Sequence, residues 1–294
     1  MGSTTPERAA RVVLALLLVA CALIAAACGS SNSSSTGTAA ATTSAATTTN
    51  ATATEPGTIE GDVLGQLPQA PEPTAEPPTL SGTSISDERT YLRAVFNDGQ
   101  AFWRSEFSSA GQQYTPAQLT LFSQAVESGC GAQADVGPFY CGANHGIYLD
   151  VNFFRLMAQR FGIKGFAQAY IVGHEFGHHI QTIIGLLQRV HAADEVDPSG
   201  ANARSVRVEV QADCLAGVWA HSVYNRGELT QDDINQALKA AQVIGDDFQQ
   251  RMAGHKVDSS LWTHGSSAQR QHWLTTGFEK GDPGACDTFT QTQP

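Results

Sequence analysis

The chain has 294 residues and a formal net charge of −11, with no run rich in lysine or arginine. A nucleic-acid-binding surface needs a basic patch to neutralise phosphates, so nucleic acid is not an expected partner. An acidic surface also gives no attraction to anionic lipids, so any membrane attachment must come from a dedicated segment.

The first 27 residues have the pattern of a bacterial lipoprotein signal peptide. Arg8 and Arg11 precede an apolar run that ends in three alanines before Cys28, and this order is typical of a secretory signal. Small residues directly before a cysteine resemble the lipobox, which implies cleavage and acylation at Cys28. Cys21 also fits the pattern, and an uncleaved signal anchor is the alternative. The prediction is an exported chain, lipid-anchored on the outer face of the bacterial cytoplasmic membrane.

Residues 28–82 are rich in serine, threonine, alanine, proline and glycine, with almost no large apolar residue before Ile59. Such a segment cannot bury enough apolar surface to repay the entropy of ordering it. We therefore predict a disordered tether, followed by one folded domain over residues 83–294.

The folded domain is predicted to be mainly α, with a small sheet. Apolar residues recur at helical spacing from Tyr91 to Trp103, and Ser84 can cap that helix. A second helix is expected from Thr115-Pro116 to Val126, because proline favours the first helical position. The remaining predictions are a strand over residues 146–151 and helices over residues 153–161, 166–189, 205–224, 230–248 and from 266 onward.

Four cysteines follow the anchor region: Cys130, Cys141, Cys214 and Cys286. An even number in an exported chain favours disulfides. Cys130 and Cys141 are close in sequence, so we pair them, which leaves Cys214 with Cys286. A cysteine metal site is the weaker alternative, because no two cysteines have the CxxC spacing.

His174-Glu175-Phe176-Gly177-His178 lies inside the helix predicted over residues 166–189. Histidines four residues apart share one helix face and can hold one tetrahedral zinc ion. Glu175 points to the side of that face, where it reaches a zinc-bound water and acts as general base. The alternative is a buried helix whose histidines only form hydrogen bonds.

Glu209 and Asp213 are also four residues apart, in a segment whose neighbours are apolar. We predict that Glu209 is the third zinc ligand. Asp213 would accept the second N–H of a zinc-bound imidazole and fix its tautomer. Two solvated acids are the alternative, but an unpaired acid in a buried helix would be costly.

Peptide hydrolysis also requires stabilisation of the oxyanion. His264 is the predicted catalytic residue for this role, with Tyr170 and Tyr148 as further candidates, and a surface or helix-capping role is the alternative for His264. His179 lies about 100° around the helix from His178, so it should pack rather than bind metal.

Asp246 and Asp247 could bind a structural cation, although a solvated helix face is the favoured interpretation. The strand over residues 146–151 is a candidate edge on which an extended peptide adds a further strand.

Residues 174–181 and 208–219, with 137–141, 245–247 and 263–267, together resemble the bacterial neutral zinc metallopeptidases. The resemblance covers residues 91–289 and implies a zincin-like fold with ligation by two histidines and a glutamate. It implies little about the substrate. The chain departs from the pattern at Val208, Val210 and Asn144-His145.

The sequence thus predicts an exported zinc endopeptidase with Zn²⁺ as its cofactor and a peptide or protein substrate in the cell envelope. Two alternatives remain open. One is a non-catalytic envelope-binding lipoprotein stabilised by zinc, and the other is a zinc hydrolase of a cell-wall amide.

Overall fold

The computed structural model describes residues 85–134 and 136–290. The predicted signal peptide, Cys21 and Cys28, the tether and the capping residue Ser84 lie outside these residues. Among the helices that are described, none is both long and apolar enough to cross a membrane.

The fold is mainly helical with a small sheet, as the sequence predicts. Its eight α-helices, within the described residues, are α1 Ile85–Ser109, α2 Val151–Phe161, α3 Phe166–Ile183, α4 Leu186–Val196, α5 Ala201–Asn225, α6 Gln231–Val243, α7 Asp246–Met252 and α8 Ser267–Lys280. The strands are β1 Gln118–Phe122, β2 Ala125–Ser128, β3 Gly131–Ala134, β4 Phe139–Cys141 and β5 Gly146–Asp150.

The three-stranded sheet has the order β1-β5-β4, and β2 and β3 form a separate hairpin. β5 pairs in parallel with β1 and antiparallel with β4. The predicted strand therefore exists, but its interpretation as an edge strand is wrong, because it has a neighbour on each side. Within the described residues, β1 and β4 are the edges of this sheet.

The helix predicted from Thr115-Pro116 to Val126 is wrong, because β1 and β2 occupy this region. β1 is stabilised by the ladder that joins Leu119 to Ile147 and Leu121 to Leu149. That partner lies far along the chain, and cross-strand pairing overrides local propensity.

Two predicted helices are shorter than expected, because a glycine interrupts each. The helix predicted over residues 166–189 ends at Ile183, since Gly185 adopts a left-handed φ of 77° and α4 begins after it. The helix predicted over residues 230–248 divides into α6 and α7 at Gly245. The predicted cap of α6 at Thr230 is present, as a reciprocal capping box with Asp233.

The core is formed by α1, α3, α5, α6 and α8, and the apolar residues predicted for α1 are all buried in it. α5 and α8 approach so closely that a Cβ atom at Gly277 would lie 1.9 Å from the carbonyl oxygen of Cys214. Both predicted disulfides are present: Cys130–Cys141 joins the β2–β3 turn to β4, and Cys214–Cys286 joins α5 to the C-terminal segment.

Candidate metal centre

The centre forms where α3 crosses α5 at close range. Gly177 of α3 faces the backbone of Ala212, and a Cβ atom at Gly177 would lie 2.6 Å from the Ala212 Cα. Glu209 and Asp213 flank Ala212 on α5. The absence of a side chain at residue 177 therefore lets both carboxylates reach the histidines of α3.

The structure brings the three predicted ligands together in a buried cluster. The Nε2 atoms of His174 and His178 are 3.1 Å apart. The Glu209 carboxylate oxygens lie 3.2 Å from Nε2 of His174 and 3.4 Å from Nε2 of His178. Among the described residues, one group of three or more His, Cys, Asp or Glu side chains could hold a metal ion, and it consists of His174, His178 and Glu209.

Asp213 occupies the position predicted for it, because its Oδ1 lies 2.8 Å from Nδ1 of His174. A carboxylate can only accept, so Nδ1 carries a proton, and Nε2 is the ring nitrogen that faces the other ligands. Asp213 also accepts hydrogen bonds from the Tyr170 hydroxyl at 2.6 Å and from the Arg270 guanidinium at 2.8 and 2.9 Å.

Arg270 is a further residue of the candidate centre, and the sequence did not predict it. It lies on α8, is 3% exposed and forms an ion pair with Asp213. The one signal in the sequence is its helical spacing from apolar residues and a glycine. Arg270 lies on the buried face of α8 together with Trp273, Leu274 and Gly277. A charged residue on an apolar face needs a buried partner, but local sequence does not say which.

The electrostatics of the centre favour positive charge between the ligands. Burial alone would lower the pKa of His174, but Asp213 and Glu209 raise it to about 9. Burial would likewise raise the pKa of Glu209, but His178, His174 and His264 hold it well below its usual range. Asp213 also has a lowered pKa, because Arg270 and His174 outweigh its burial.

Glu175 lies beside the ligands and is 6% exposed. Burial raises its pKa above the usual value, while the nearby His174 and His178 act in the opposite direction. Its side chain forms no hydrogen bond with any residue in the described part of the chain. The carboxyl group is therefore available to exchange a proton with a molecule in the centre.

His264 lies on the loop before α8, 8% exposed, and its charge is one of the influences that lower the pKa of Glu209. Asp246 fixes this loop. Its Oδ2 accepts the backbone N–H groups of Thr263, His264 and Gly265 at 2.8, 2.7 and 3.1 Å, and its Oδ1 lies 3.0 Å from Nδ1 of His264. Asp247 similarly accepts the backbone N–H and hydroxyl of Ser267.

These contacts correct the prediction that Asp246 and Asp247 form a solvated helix face. Both side chains instead hold the loop that carries His264. The contacts were invisible in the sequence because acceptor and donors are 17 to 20 residues apart.

The other two candidates for oxyanion stabilisation each have a hydrogen-bond partner within the protein. The Tyr170 hydroxyl donates to Asp213, and the Tyr148 hydroxyl accepts a hydrogen bond from Asn144 at 2.8 Å. His179 packs away from the ligands, as predicted, with its Nε2 2.8 Å from the Thr115 carbonyl oxygen. Burial lowers the pKa of His179 to about 4.

The profile of the family described as "Putative neutral zinc metallopeptidase" matches residues 53–289, well over half of the chain. The chain belongs to this family. The match includes all the residues of the metal centre, so the resemblance seen in the sequence motifs is confirmed.

Two groups of curated relatives are similar to this chain. The uncharacterized protein YpfJ of Escherichia coli K12 is 41% identical over 190 residues, which are 64% of this chain and 66% of YpfJ. The uncharacterized proteins Mb2605 of Mycobacterium bovis and Rv2575 of Mycobacterium tuberculosis are each 43% identical over 210 residues, 67% of this chain and 69% of theirs. The chain thus spans about two thirds of the length of the curated relatives that it matches. No solved structure matches it.

Proposed function

We propose that the chain is a zinc-dependent peptidase that hydrolyses peptide bonds of a peptide or protein in the cell envelope. One observation carries the proposal: His174, His178 and Glu209 converge in a buried cluster, with the carboxyl group of Glu175 beside them. A purely structural metal site would need no such base and usually closes its fourth position with a further protein ligand.

The donor set fits zinc. Zinc–ligand bonds of about 2.0–2.1 Å in a tetrahedron place neighbouring ligand atoms roughly 3.3–3.4 Å apart. The three separations in the cluster are 3.1, 3.2 and 3.4 Å. Two imidazole lone pairs and a carboxylate repel one another at such distances unless a proton or a metal ion lies between them, so a cation stabilises the arrangement.

Zinc, when bound, polarises the substrate carbonyl and makes water more acidic. Glu175 takes the proton from the attacking water as the water oxygen bonds to the carbonyl carbon. It then passes this proton to the nitrogen as the C–N bond breaks. His264 acts as an imidazolium: its Nδ1–H donates to Asp246, which holds the ring in place, and its Nε2–H donates a hydrogen bond to the carbonyl oxygen while negative charge develops there.

We propose that the substrate is an extended chain that pairs with β4. This strand pairs with β5 alone among the described strands, and it packs against α3, which carries His174 and His178. An unpaired strand edge binds extended peptides through main-chain hydrogen bonds.

The cellular location is part of the same proposal. The two disulfides support an oxidising compartment. The pattern of residues 1–27 supports export and lipid attachment at Cys28.

The test is a paired measurement on the full chain purified in mild detergent: bound zinc, and cleavage of an unfolded protein. Wild type and Glu175→Gln should each bind one zinc, with cleavage only by wild type. The matched control is Glu195→Gln, an exposed acid on α4, which should retain cleavage. Zinc binding without cleavage by wild type would contradict the peptidase proposal and favour a binding lipoprotein, or an amide hydrolase if cell-wall material is cleaved.

A further inference from the structure

We propose that the C-terminal segment at Cys286 is part of the metal centre, acting through Gln211 and Gln181 as positioning residues for His178. The two histidine ligands are held in different ways. His174 donates from Nδ1 directly to a carboxylate, whereas Nδ1 of His178 lies 2.9 Å from a neutral amide oxygen, Oε1 of Gln181.

The side-chain amide of Gln181 can present either its oxygen or its NH₂ group to His178, so its other hydrogen-bond partners decide its orientation. Gln181 is fully buried, and its Nε2 lies 2.7 Å from the Val208 carbonyl oxygen and 2.9 Å from Oε1 of Gln211. Gln211 is also fully buried, and its Nε2 lies 3.1 Å from the Cys286 carbonyl oxygen.

These contacts form a hydrogen-bonded chain whose polarity is set at its far end. The Cys286 carbonyl can only accept, so the NH₂ group of Gln211 must face it. The Gln211 oxygen then faces Gln181, whose NH₂ group must donate to it and to Val208. The Gln181 oxygen is left for His178, whose Nδ1 must therefore carry the proton. The Nε2 lone pair of His178 is thereby directed towards Glu209 and His174.

The Cys214–Cys286 disulfide holds the first acceptor of this hydrogen-bonded series, the Cys286 carbonyl, in place. Cys214 and Cys286 hold the C-terminal segment against α5, one turn after Gln211. On the same helix, the Thr288 hydroxyl donates to the Arg207 carbonyl oxygen at 2.8 Å. The acceptor that orients Gln211 is thus fixed on both sides. The Val208 carbonyl oxygen also accepts from the NH₂ group of Gln181, as Gln211 does. Loss of Gln211 should therefore weaken the orientation of Gln181 rather than abolish it.

This inference rests on the metal-binding part of the proposed function and not on peptide hydrolysis. The test is the zinc dissociation constant of the full chain, measured by competition with a chromophoric chelator. Removing a partner that orients a metal ligand typically weakens binding 10- to 100-fold. We expect zinc binding to weaken about 10-fold in Gln211→Met and in Gln211→Glu. The Gln211→Glu side chain keeps the shape of glutamine but places a second acceptor against the Cys286 carbonyl. We expect zinc binding to weaken about 100-fold in Gln181→Leu.

The matched control is Gln168→Met. Gln168 is an equally buried glutamine on α3, but its Nε2 donates to the Phe154 carbonyl oxygen, away from the ligands. Urea unfolding of each zinc-free variant separates loss of stability from loss of zinc affinity. The ring ¹⁵N shifts of His178 in zinc-free protein report which nitrogen carries the proton, and we expect the Nδ1–H form to decrease in the Gln211 variants.

If the Gln211 variants bind zinc as tightly as Gln168→Met does, the inference is overturned, even if they unfold more easily. If the wild-type protein binds no zinc, the proposed metal site itself is refuted, and this result is distinguishable from a failure of the Gln211 proposal alone. Cys214→Ala/Cys286→Ala provides a test that leaves both glutamines intact. Its zinc affinity should also fall about 10-fold, and unchanged affinity would show that the disulfide does not contribute.

Discussion

Gly177 and Ala212 touch through their backbones, because a Cβ atom at residue 177 would lie 2.6 Å from the Cα and 2.8 Å from the carbonyl oxygen of Ala212. This contact sets the distance between α3 and α5. All three candidate metal ligands lie on these two helices within one turn of it, so the geometry of the centre depends on it.

Gly177→Ala should therefore separate the helices and loosen the centre. Overpacking of this kind costs about 1–3 kcal/mol of stability, and zinc affinity should fall with it. Gly173→Ala is the control on the same helix, since its Cβ atom would first meet the Trp219 side chain at 3.0 Å, not backbone. Equal zinc affinities for the two variants, measured by chelator competition, would contradict this account of Gly177.

Arg270→Met should destabilise the zinc-free protein by about 3–5 kcal/mol, because it leaves the buried charge of Asp213 without its main partner. Arg251→Met is a control for the loss of an ion pair at the surface. Arg251 pairs with Asp247 but is 54% exposed, so its removal should cost less than about 1 kcal/mol. The measurement is urea unfolding with a chelator present. Similar losses for the two variants would show that the Arg270 ion pair contributes no more than an exposed one.

His264→Ala should lower kcat roughly 100- to 1000-fold, the typical effect of losing one oxyanion donor, with zinc affinity unchanged. Asp246→Asn should lower kcat less, because the ring is still present but less firmly oriented. Steady-state kinetics and zinc titration on the same preparations provide the check. A loss of zinc affinity in His264→Ala comparable to that in Glu209→Ala would assign His264 to metal binding instead.

Glu106 should make folding stability depend on pH. It is fully buried on α1, neither carboxyl oxygen has a hydrogen-bond partner among the described residues, and burial raises its pKa to about 7. Between pH 4.5 and about 7 the folded state keeps a proton that the unfolded state has lost. Its stabilising contribution is therefore complete below pH 4.5 and is lost as pH rises towards 7.

Glu106→Gln should remove this pH-dependent loss. One pKa unit corresponds to about 1.4 kcal/mol, so the variant should gain roughly 1–3 kcal/mol relative to wild type between pH 4.5 and pH 8. Urea unfolding at several pH values gives the difference, and titrations elsewhere in the protein cancel in it. Glu195→Gln, at an exposed position, should show no such gain. A constant difference across this pH range would refute the prediction.

The sequence by itself determined the helical class, both disulfide pairings and the candidate ligand set. The helices, the ligand spacings and the Cys130–Cys141 pairing depend on local periodicity or on short spacings, which the chain carries in any context. The Cys214–Cys286 pairing, 72 residues apart, followed by elimination. Histidines at residues 174 and 178, and acids at residues 209 and 213, share a helix face wherever the helix packs.

Only the tertiary structure decided which groups surround those ligands. β1 replaced part of a predicted helix because its partner strand lies about 28 residues away. Arg270, Gln211, Asp246 and the carbonyl of Cys286 reach the centre from separate elements, and each has an unremarkable local sequence. A buried polar group takes whichever partner the packing supplies, so its partner is a property of the assembled fold.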